Sequence, residues 1–265
     1  MAFTLPVRSS SEARRLATKQ GKLAQKVHSI SSEYFQQWSP EMAWTLGVLF
    51  VRCLVTVDNK NSRKILTVIE KDPDLLELIK RNLGSSHPLI QQRPISLEDS
   101  VSYRYEIANV ELVEDLIKMG VSQERSQRRL NTDVPRDFHS DFVRGLFEGG
   151  GEINTVKLGS QAEGVVSDSL VFALRHRSEI LLNQVRELLN SSGFETPVFV
   201  MTARNKAILS LEYYDADCHK LLSFIYGGNP SLCTWPRRRR EMEGRVSEFA
   251  MNTGGRVSTG PGVRG

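Results

Sequence analysis

The stretch DFVRGLFEGGGEI at residues 141–153 decides the fold of this chain. An earlier stretch, AWTLGVLFVRC at residues 43–53, has the same pattern: an apolar helix with one glycine on a packing face, running directly into a strand. The central glycines, Gly47 and Gly145, lie 98 residues apart (145 minus 47). Because similar elements follow both stretches, the sequence predicts a two-fold internal repeat, and this repeat governs the expected fold of the whole chain.

Hydrophobic periodicity, caps and turn residues predict the same order in both halves: helix, hairpin, helix, hairpin, helix. The first half is predicted to contain a helix from Pro40 to about Val51, strands at 54–57 and 64–70, a helix opened by 72–74 and ended by Gly84, strands at 89–95 and 101–108, and a helix from Asn109 to Gly120. The second half is predicted to contain a helix at 139–149, strands at 152–158 and 169–175, a helix from Ser178 stopped by Gly193, strands at 197–202 and 207–213, and a helix at 215–226.

This pattern divides the chain into six segments. They are a basic N-terminal segment (1–38), a first half (39–120), a linker (121–137), a second half (138–228), a basic C-terminal helix (229–251) and a tail (252–265). The tail is rich in Gly, Ser and Thr, and a composition of this kind predicts disorder.

Composition bounds the class of protein. The 265 residues have a net charge of +4 and are 40% hydrophobic, which is ordinary for a globular protein long enough to bury a sizeable core. The positive charge comes from the two ends of the chain, so it says little about the central domain. Cys53, Cys218 and Cys233 lack metal-site spacing, which favours reduced thiols in a reducing compartment, cytoplasmic or organellar. No apolar run is long enough to predict a membrane span.

The two stretches resemble the paired signature helices of the LAGLIDADG homing endonuclease family. Residues 145–151, GLFEGGG, match the family pattern Gly-Leu-Phe-acid-small-Asp-Gly, and residues 47–53, GVLFVRC, are the first copy. The resemblance implies an α/β (α+β) fold of two pseudo-symmetric αββαββα halves, whose antiparallel sheets form a saddle. It further implies that the motif helices pack through Gly47 and Gly145, and that the chain binds nucleic acid as a monomer.

In the resembled family, two motif acids hold metal ions over the DNA. Here Arg52 and Gly150 stand at those positions. An arginine has no lone pair for a metal, and glycine has no side chain, so we expect no cofactor and lost cleavage. Glu148 and Glu152 are possible stand-ins; if they work, Mg²⁺ would be the cofactor, since it takes hard oxygen ligands.

The resemblance also implies that polar side chains on the concave strand faces read the major groove. The sequence does not determine which face of each strand lies toward the groove, and for each residue the alternative is a solvated strand face. The candidates are Lys64, Gln91, Arg93, Arg104, Lys157, Arg175, Arg177, Arg204 and Lys206, with Arg237, Arg238, Arg239 and Arg240 as phosphate contacts on the C-terminal helix. His176 is either a catalytic base or, more commonly for such a position, a surface histidine at a strand end.

The resulting expectation is a nucleic-acid-binding protein without membrane association, which binds double-stranded DNA site-selectively and no longer cuts it. Two alternatives stay open. One is an active homing endonuclease that uses displaced acids such as Glu148 or Glu152. The other is an RNA-binding protein, a maturase or a ribonucleoprotein component, which would tolerate lost metal ligands.

Overall fold

The computed structural model describes residues 28–58, 60–94, 100–160, 165–194, 198–201, 208–227 and 234–252. The first half contains α1 (Pro40–Arg52), β1 (Leu54–Asp58), β2 (Arg63–Glu70), α2 (Pro73–Asn82), β3 (Leu89–Gln92), β4 (Ser102–Ile107) and α3 (Val110–Met119). The second contains α4 (His139–Gly150), β5 (Gly151–Ser160), β6 (Val165–His176), α5 (Glu179–Ser191), β7 (Val198–Met201), β8 (Leu209–Tyr214) and α6 (Ala216–Tyr226). Helix α7 (Pro236–Asn252) follows. The predicted αββαββα order is confirmed in both halves.

Each half builds one four-stranded antiparallel sheet. The strand order is β1-β2-β4-β3 in the first sheet and β5-β6-β8-β7 in the second. Side chains such as Leu66, Tyr105 and Phe172 point to the helices and are fully buried. We call the opposite side of each sheet its open face. Because side chains alternate along a strand, the pairing register assigns every strand residue to one of these two faces.

The helix starts follow local capping chemistry, as the sequence predicts. The hydroxyl of Ser39 accepts a hydrogen bond from Met42 N at the start of α1, and Pro40 takes the first helical position. The side chain of Asn109 caps α3 in the same way, and Gly120 ends that helix with a left-handed φ of 109°. These signals lie within a few residues, so they can be read without tertiary structure.

The centre of the molecule is the contact between α1 and α4, which we call the motif helices. Gly47 and Gly145 both lie in this contact, and the two backbones touch there. A β-carbon on Gly47 would overlap the Phe142 carbonyl oxygen, and one on Gly145 would overlap the Trp44 carbonyl oxygen. Glycine is therefore required sterically at both positions, and the repeat is joined through its two signature helices.

Several predictions fall outside the described residues. These are the structure of residues 1–27, the tail at 253–265, and the candidate readers Arg204 and Lys206. Within the described part of the chain, no helix combines the length and the apolar character needed to span a bilayer.

Candidate nucleic-acid interface

The two motif helices end side by side. Helix α1 ends at Arg52 and α4 ends at Gly150, where an added β-carbon would lie 3.1 Å from Val51 Cβ. A cavity of about 430 Å³ opens at this point. Its lining comes from both halves and from the start of α7: Val51, Arg52, Glu70, Lys71, Asp72, Gly149, Gly150, Gly151, Glu152, Arg175, Trp235, Arg237, Arg238 and Glu241. We call it the central cavity.

Arg52 joins the two halves at the floor of the central cavity. Its Nη1 lies 3.2 Å from Glu70 Oε2, an ion pair that lacks hydrogen-bond alignment. Its Nε donates a hydrogen bond to the Gly149 carbonyl at the end of the other motif helix. The guanidinium therefore neutralises an acid of its own half and satisfies a helix-end carbonyl of the second half.

Every acid that lines the central cavity pairs with an arginine that lines it too. The closest N–O distances are 3.2 Å for Arg52–Glu70, 3.5 Å for Arg237–Asp72, 2.7 Å for Arg175–Glu152 and 2.7 Å for Arg238–Glu241. Lys71 is the one further basic residue of the lining. The lining thus carries five basic and four acidic residues, and its acids are already neutralised.

This lining does not fit the metal ions that the resembled fold implies. A hard divalent cation needs several oxygen ligands free of competing cations. Here four arginines occupy the carboxylates, and the described residues hold no cluster of three or more His, Cys, Asp or Glu that could bind a metal. The side chains present favour an anion over a cation at this point.

Glu148 lies behind the cavity in a buried hydrogen-bond network. Its Oε2 accepts from Trp44 Nε1 (2.7 Å) and from Trp235 N (3.0 Å), and its Oε1 accepts from the Tyr226 hydroxyl (2.8 Å). Burial raises the pKa of this carboxyl, while the three donors and Arg144 act in the opposite direction. Both oxygens are in use, and the residue is absent from the cavity lining, which argues against Glu148 as a metal ligand.

Trp235 connects α7 to both halves. Its backbone N–H binds Glu148 of the second half, and its indole Nε1 donates to Asp72 Oδ2 (3.0 Å) at the start of α2. Because the side chain is buried, these bonds form away from water and fix the start of α7 beside the central cavity.

Arg128, in the linker, is fully buried and caps the end of α1. Its guanidinium donates to the carbonyls of Phe50 (2.6 Å), Cys53 (2.8 Å) and Ser122 (3.1 Å). In the second half, Arg238 Nη2 donates to the Gly151 carbonyl, which occupies the motif position of Cys53. Each motif helix therefore ends at an arginine supplied by the segment that follows its own half, and no local sequence signal predicts this pairing.

His176 is buried against the same helix end, so the expectation of a surface histidine is wrong. Its Nδ1 accepts a hydrogen bond from Ser178 N (3.0 Å). Burial, with repulsion from Arg128 and Arg125, lowers the pKa of His176 to about 4. The ring is neutral at pH 7 and serves the packing between the linker and β6; nothing places it toward the central cavity.

The register separates the predicted readers into two groups. Lys64 points to the helix side, where it pairs with Glu114 of α3. Gln91 and Lys157 also have helix-side register, because each is in phase with the buried-face positions of its strand. Lys64, Gln91 and Lys157 therefore lie one pleat away from the open faces. That they read a groove stays a prediction.

Arg104 and Arg175 lie on the open faces. Each is held by an acid of the same face, Arg104 by Glu106 and Arg175 by Glu152. Arg93 and Arg177 are exposed residues that directly follow β3 and β6. Arg93, Arg175 and Arg177 are exposed and Arg104 is half-buried, while Gln91 and Lys157 are exposed at helix-side register positions.

The open faces are not basic. In the described strands, their charged residues are Asp58, Arg63, Arg104 and Glu106 in the first sheet, and Glu152, Arg175 and Glu212 in the second. The first sheet also exposes Leu54, Ile69 and Ile90 on this face. Positive charge is instead concentrated near the ends of the motif helices.

Comparison with solved structures gives a match over most of the chain. The I-LtrWI LAGLIDADG homing endonuclease bound to target DNA matches with a TM-score of 0.53 and 13% identity, over 86% of this chain and 94% of that one. Meganuclease I-SmaMI, bound to uncleavable DNA, matches with a TM-score of 0.55 and 14% identity, over 84% and 92%. LAGLIDADG homing endonuclease I-GzeII, in complex with a DNA target, matches with a TM-score of 0.52 and 11% identity, over 84% and 94%.

The chain has the LAGLIDADG homing endonuclease fold. No protein-family model matches the sequence, and no curated protein matches it. The likeness is therefore one of structure, and at this identity it concerns the fold alone.

The C-terminal arginines of this LAGLIDADG-fold protein are mostly engaged within the protein. Arg237 pairs with Asp72, and Arg238 bonds Gly151 and Glu241. Arg239 pairs with Glu243 (2.8 Å) and lies over the Tyr226 ring, 4.9 Å from its centroid. Arg238 and Arg239 are half-buried, while Arg237 and Arg240 are exposed. The phosphate contacts of all four arginines stay a prediction.

Proposed function

We propose that the protein binds nucleic acid with the LAGLIDADG fold and does not cleave it. The observation that carries this proposal is the pairing of all four acids of the central cavity with arginines. Metal-assisted phosphodiester hydrolysis requires carboxylates that hold cations at the reacting phosphate. Arg52 and Gly150, at the ends of the motif helices, cannot supply them.

Arg52 suits a different interaction at the same place. Its side chain is 39% exposed, so part of the guanidinium faces the cavity. A guanidinium presents several donors in a fixed fork that matches phosphate oxygens. We therefore assign to Arg52 a contact with a backbone phosphate, where metal ions would otherwise stand.

Double-stranded DNA is the first candidate ligand, bound site-selectively. Solved proteins of the same fold are described as complexes with target DNA, and both sheets of this chain keep accessible open faces. Arg104 and Arg175 are the readers that the register supports. Each of these arginines already pairs with an acid of its sheet. On binding DNA, the arginine must therefore leave that acid for a base edge or contact both at once.

RNA is the second candidate, and a specific observation favours it. In the described strands, the open faces carry four acids against three arginines, together with exposed Leu54, Ile69 and Ile90. Such faces gain little electrostatic binding free energy from the phosphates of a duplex that lies along them. An RNA-binding protein, such as a maturase or ribonucleoprotein component, would use the basic centre and the basic ends of the chain instead.

The first experiment is native purification followed by sequencing of the protected nucleic acid. A short duplex with one recurring site supports the DNA proposal, and a single structured RNA supports the second candidate. The recovered ligand is then incubated with protein and Mg²⁺ or Mn²⁺, and we expect binding without strand breaks. Metal-dependent cutting that disappears in Glu152→Gln would show instead that displaced acids retain the nuclease activity.

A further inference from the structure

A second group of arginines adjoins the central cavity on its linker side. Arg125 is half-buried and donates Nη2 to the carbonyl of Arg52 (3.3 Å). Its Nε is shielded from solvent and has no hydrogen-bond partner in the described part of the chain. A buried guanidinium N–H without an acceptor is costly, so this donor requires an explanation.

Arg128 and Arg177 surround Arg125 with like charge. Arg128 is already saturated by main-chain carbonyls, and its own carbonyl receives the Ser178 hydroxyl, which places the end of β6 against the linker. Arg177, the residue before Ser178, is exposed and forms no ion pair with a described residue. Burial and repulsion from Arg128 and Arg177 together lower the pKa of Arg125.

Among the described residues, no acid forms an ion pair with Arg125, Arg128 or Arg177. The remaining ionisable neighbour of Arg125 is the Cys53 thiol, whose pKa is raised by burial, so it is neutral. Capping of α1 does not explain the arrangement either, because Arg128 already donates to the carbonyls of Phe50 and Cys53. Three cations held together with one unused donor form a site that lacks its anion.

We infer that Arg125 and Arg177 form a phosphate-binding site next to Arg52. Guanidinium groups bind phosphate through paired N–H donors, and the free Nε of Arg125 supplies one of them. The inference rests on the proposed function for the source of the ligand: if the protein binds nucleic acid, the phosphate is a backbone phosphodiester. A free phosphate has the same chemistry and is the other source.

The test uses the full chain with three single variants: Arg125→Gln, Arg177→Gln and Arg129→Gln. Arg129 is the matched control, because it lies in the same linker, is exposed, and its side chain bonds only Asn131 among described residues. Binding of a labelled duplex of arbitrary sequence is measured over a range of salt concentrations. In parallel, the melting temperature of each protein is recorded with and without inorganic phosphate.

We expect Arg125→Gln and Arg177→Gln each to reduce the slope of log K against log salt by about 1, as for one lost phosphate contact. Arg125→Lys keeps the charge and loses the fork, so it should bind more weakly than the parent and more tightly than Arg125→Gln. Equal slopes for all three glutamine variants would overturn the site, because only bulk charge would then matter.

The phosphate arm separates this inference from the proposed function. If the parent ignores the duplex but is stabilised by inorganic phosphate, and Arg125→Gln and Arg177→Gln abolish that effect, the site stands and nucleic-acid binding fails. If the duplex binds with the same slope in every variant, the proposed function stands and the site is wrong. Circular dichroism of each variant confirms that the fold is retained.

Discussion

Replacing Gly145 with alanine tests the central claim that the two halves are joined through glycine. The added β-carbon would overlap the Trp44 carbonyl oxygen and lie 2.9 Å from the carbonyl carbon and 3.1 Å from Gly47 Cα. Ordinary contacts of a β-carbon begin at 3.4 Å. The obstacles are main-chain atoms of α1, so no side-chain rotation relieves the overlap, and the motif helices must move apart.

The cost follows from this separation. Overpacking of a close-packed core costs roughly 1–3 kcal/mol, and a backbone obstacle places Gly145→Ala at or above about 3 kcal/mol. Alanine returns about 1 kcal/mol through its higher helix propensity. The net loss in the free energy of unfolding is therefore about 2 kcal/mol or more, equivalent to a fall in melting temperature of about 4–8 °C for a chain of this size.

Gly244→Ala provides the matched control. Gly244 lies inside α7, and a β-carbon added there would have nothing within 4 Å. The same substitution should stabilise the protein by up to about 1 kcal/mol. Urea unfolding followed by circular dichroism measures both variants. A Gly145→Ala protein as stable as the parent, or as stable as Gly244→Ala, would refute the close crossing of the motif helices.

Three further outcomes are expected. The pKa of His176 is about 4 in the folded protein and 6.5 in the unfolded chain, so about 3 kcal/mol of the free energy of unfolding is present above pH 6.5 and is lost as the pH falls towards 4. His176→Gln should flatten this part of the stability–pH curve. An unchanged curve would contradict the lowered pKa of His176. Arg128→Met should lower the free energy of unfolding by at least about 3 kcal/mol, because several buried carbonyls lose their donor. The control variant Arg129→Met should change it by no more than about 0.5 kcal/mol. Equal losses in the two variants would mean that the cap formed by Arg128 is unimportant. Arg52→Ala should weaken nucleic-acid binding and reduce the salt slope by about 1; unchanged affinity at several salt concentrations would exclude the phosphate contact.

The residues of the open faces could not be assigned from the sequence pattern. Alternation in β2 and β5 is visible in the sequence, yet it left open which pleat faces the helices. Lys64 and Lys157 look like equally good readers until the register assigns both to the helix side. A one-residue difference in phase exchanges the two faces of a strand, so such residues cannot be assigned before the partner strand is known.

The central cavity depends on still longer-range contacts. Arg128 reaches a carbonyl of Cys53, 75 residues earlier, and Trp235 bonds Asp72, 163 residues earlier. In the sequence, Arg128 is one of several arginines in a polar linker, and nothing local marks it as fully buried. A long polar side chain is buried only when a helix end presents unused carbonyls to it.

The sequence by itself determined the repeat and the order of the elements, because both depend on short-range periodicity and caps. The crossing at Gly47 and Gly145 was implied by the family resemblance. The sequence also placed Arg52 and Gly150 at the ends of the motif helices. Only the tertiary structure decided what surrounds them: four ion pairs that occupy the acids of the cavity, and a neighbouring group of arginines with one unpartnered donor, Arg125 Nε, in the described part of the chain. Charge pairing depends on distances of a few ångströms between segments far apart in the chain, and these distances exist only after both halves and α7 have packed together.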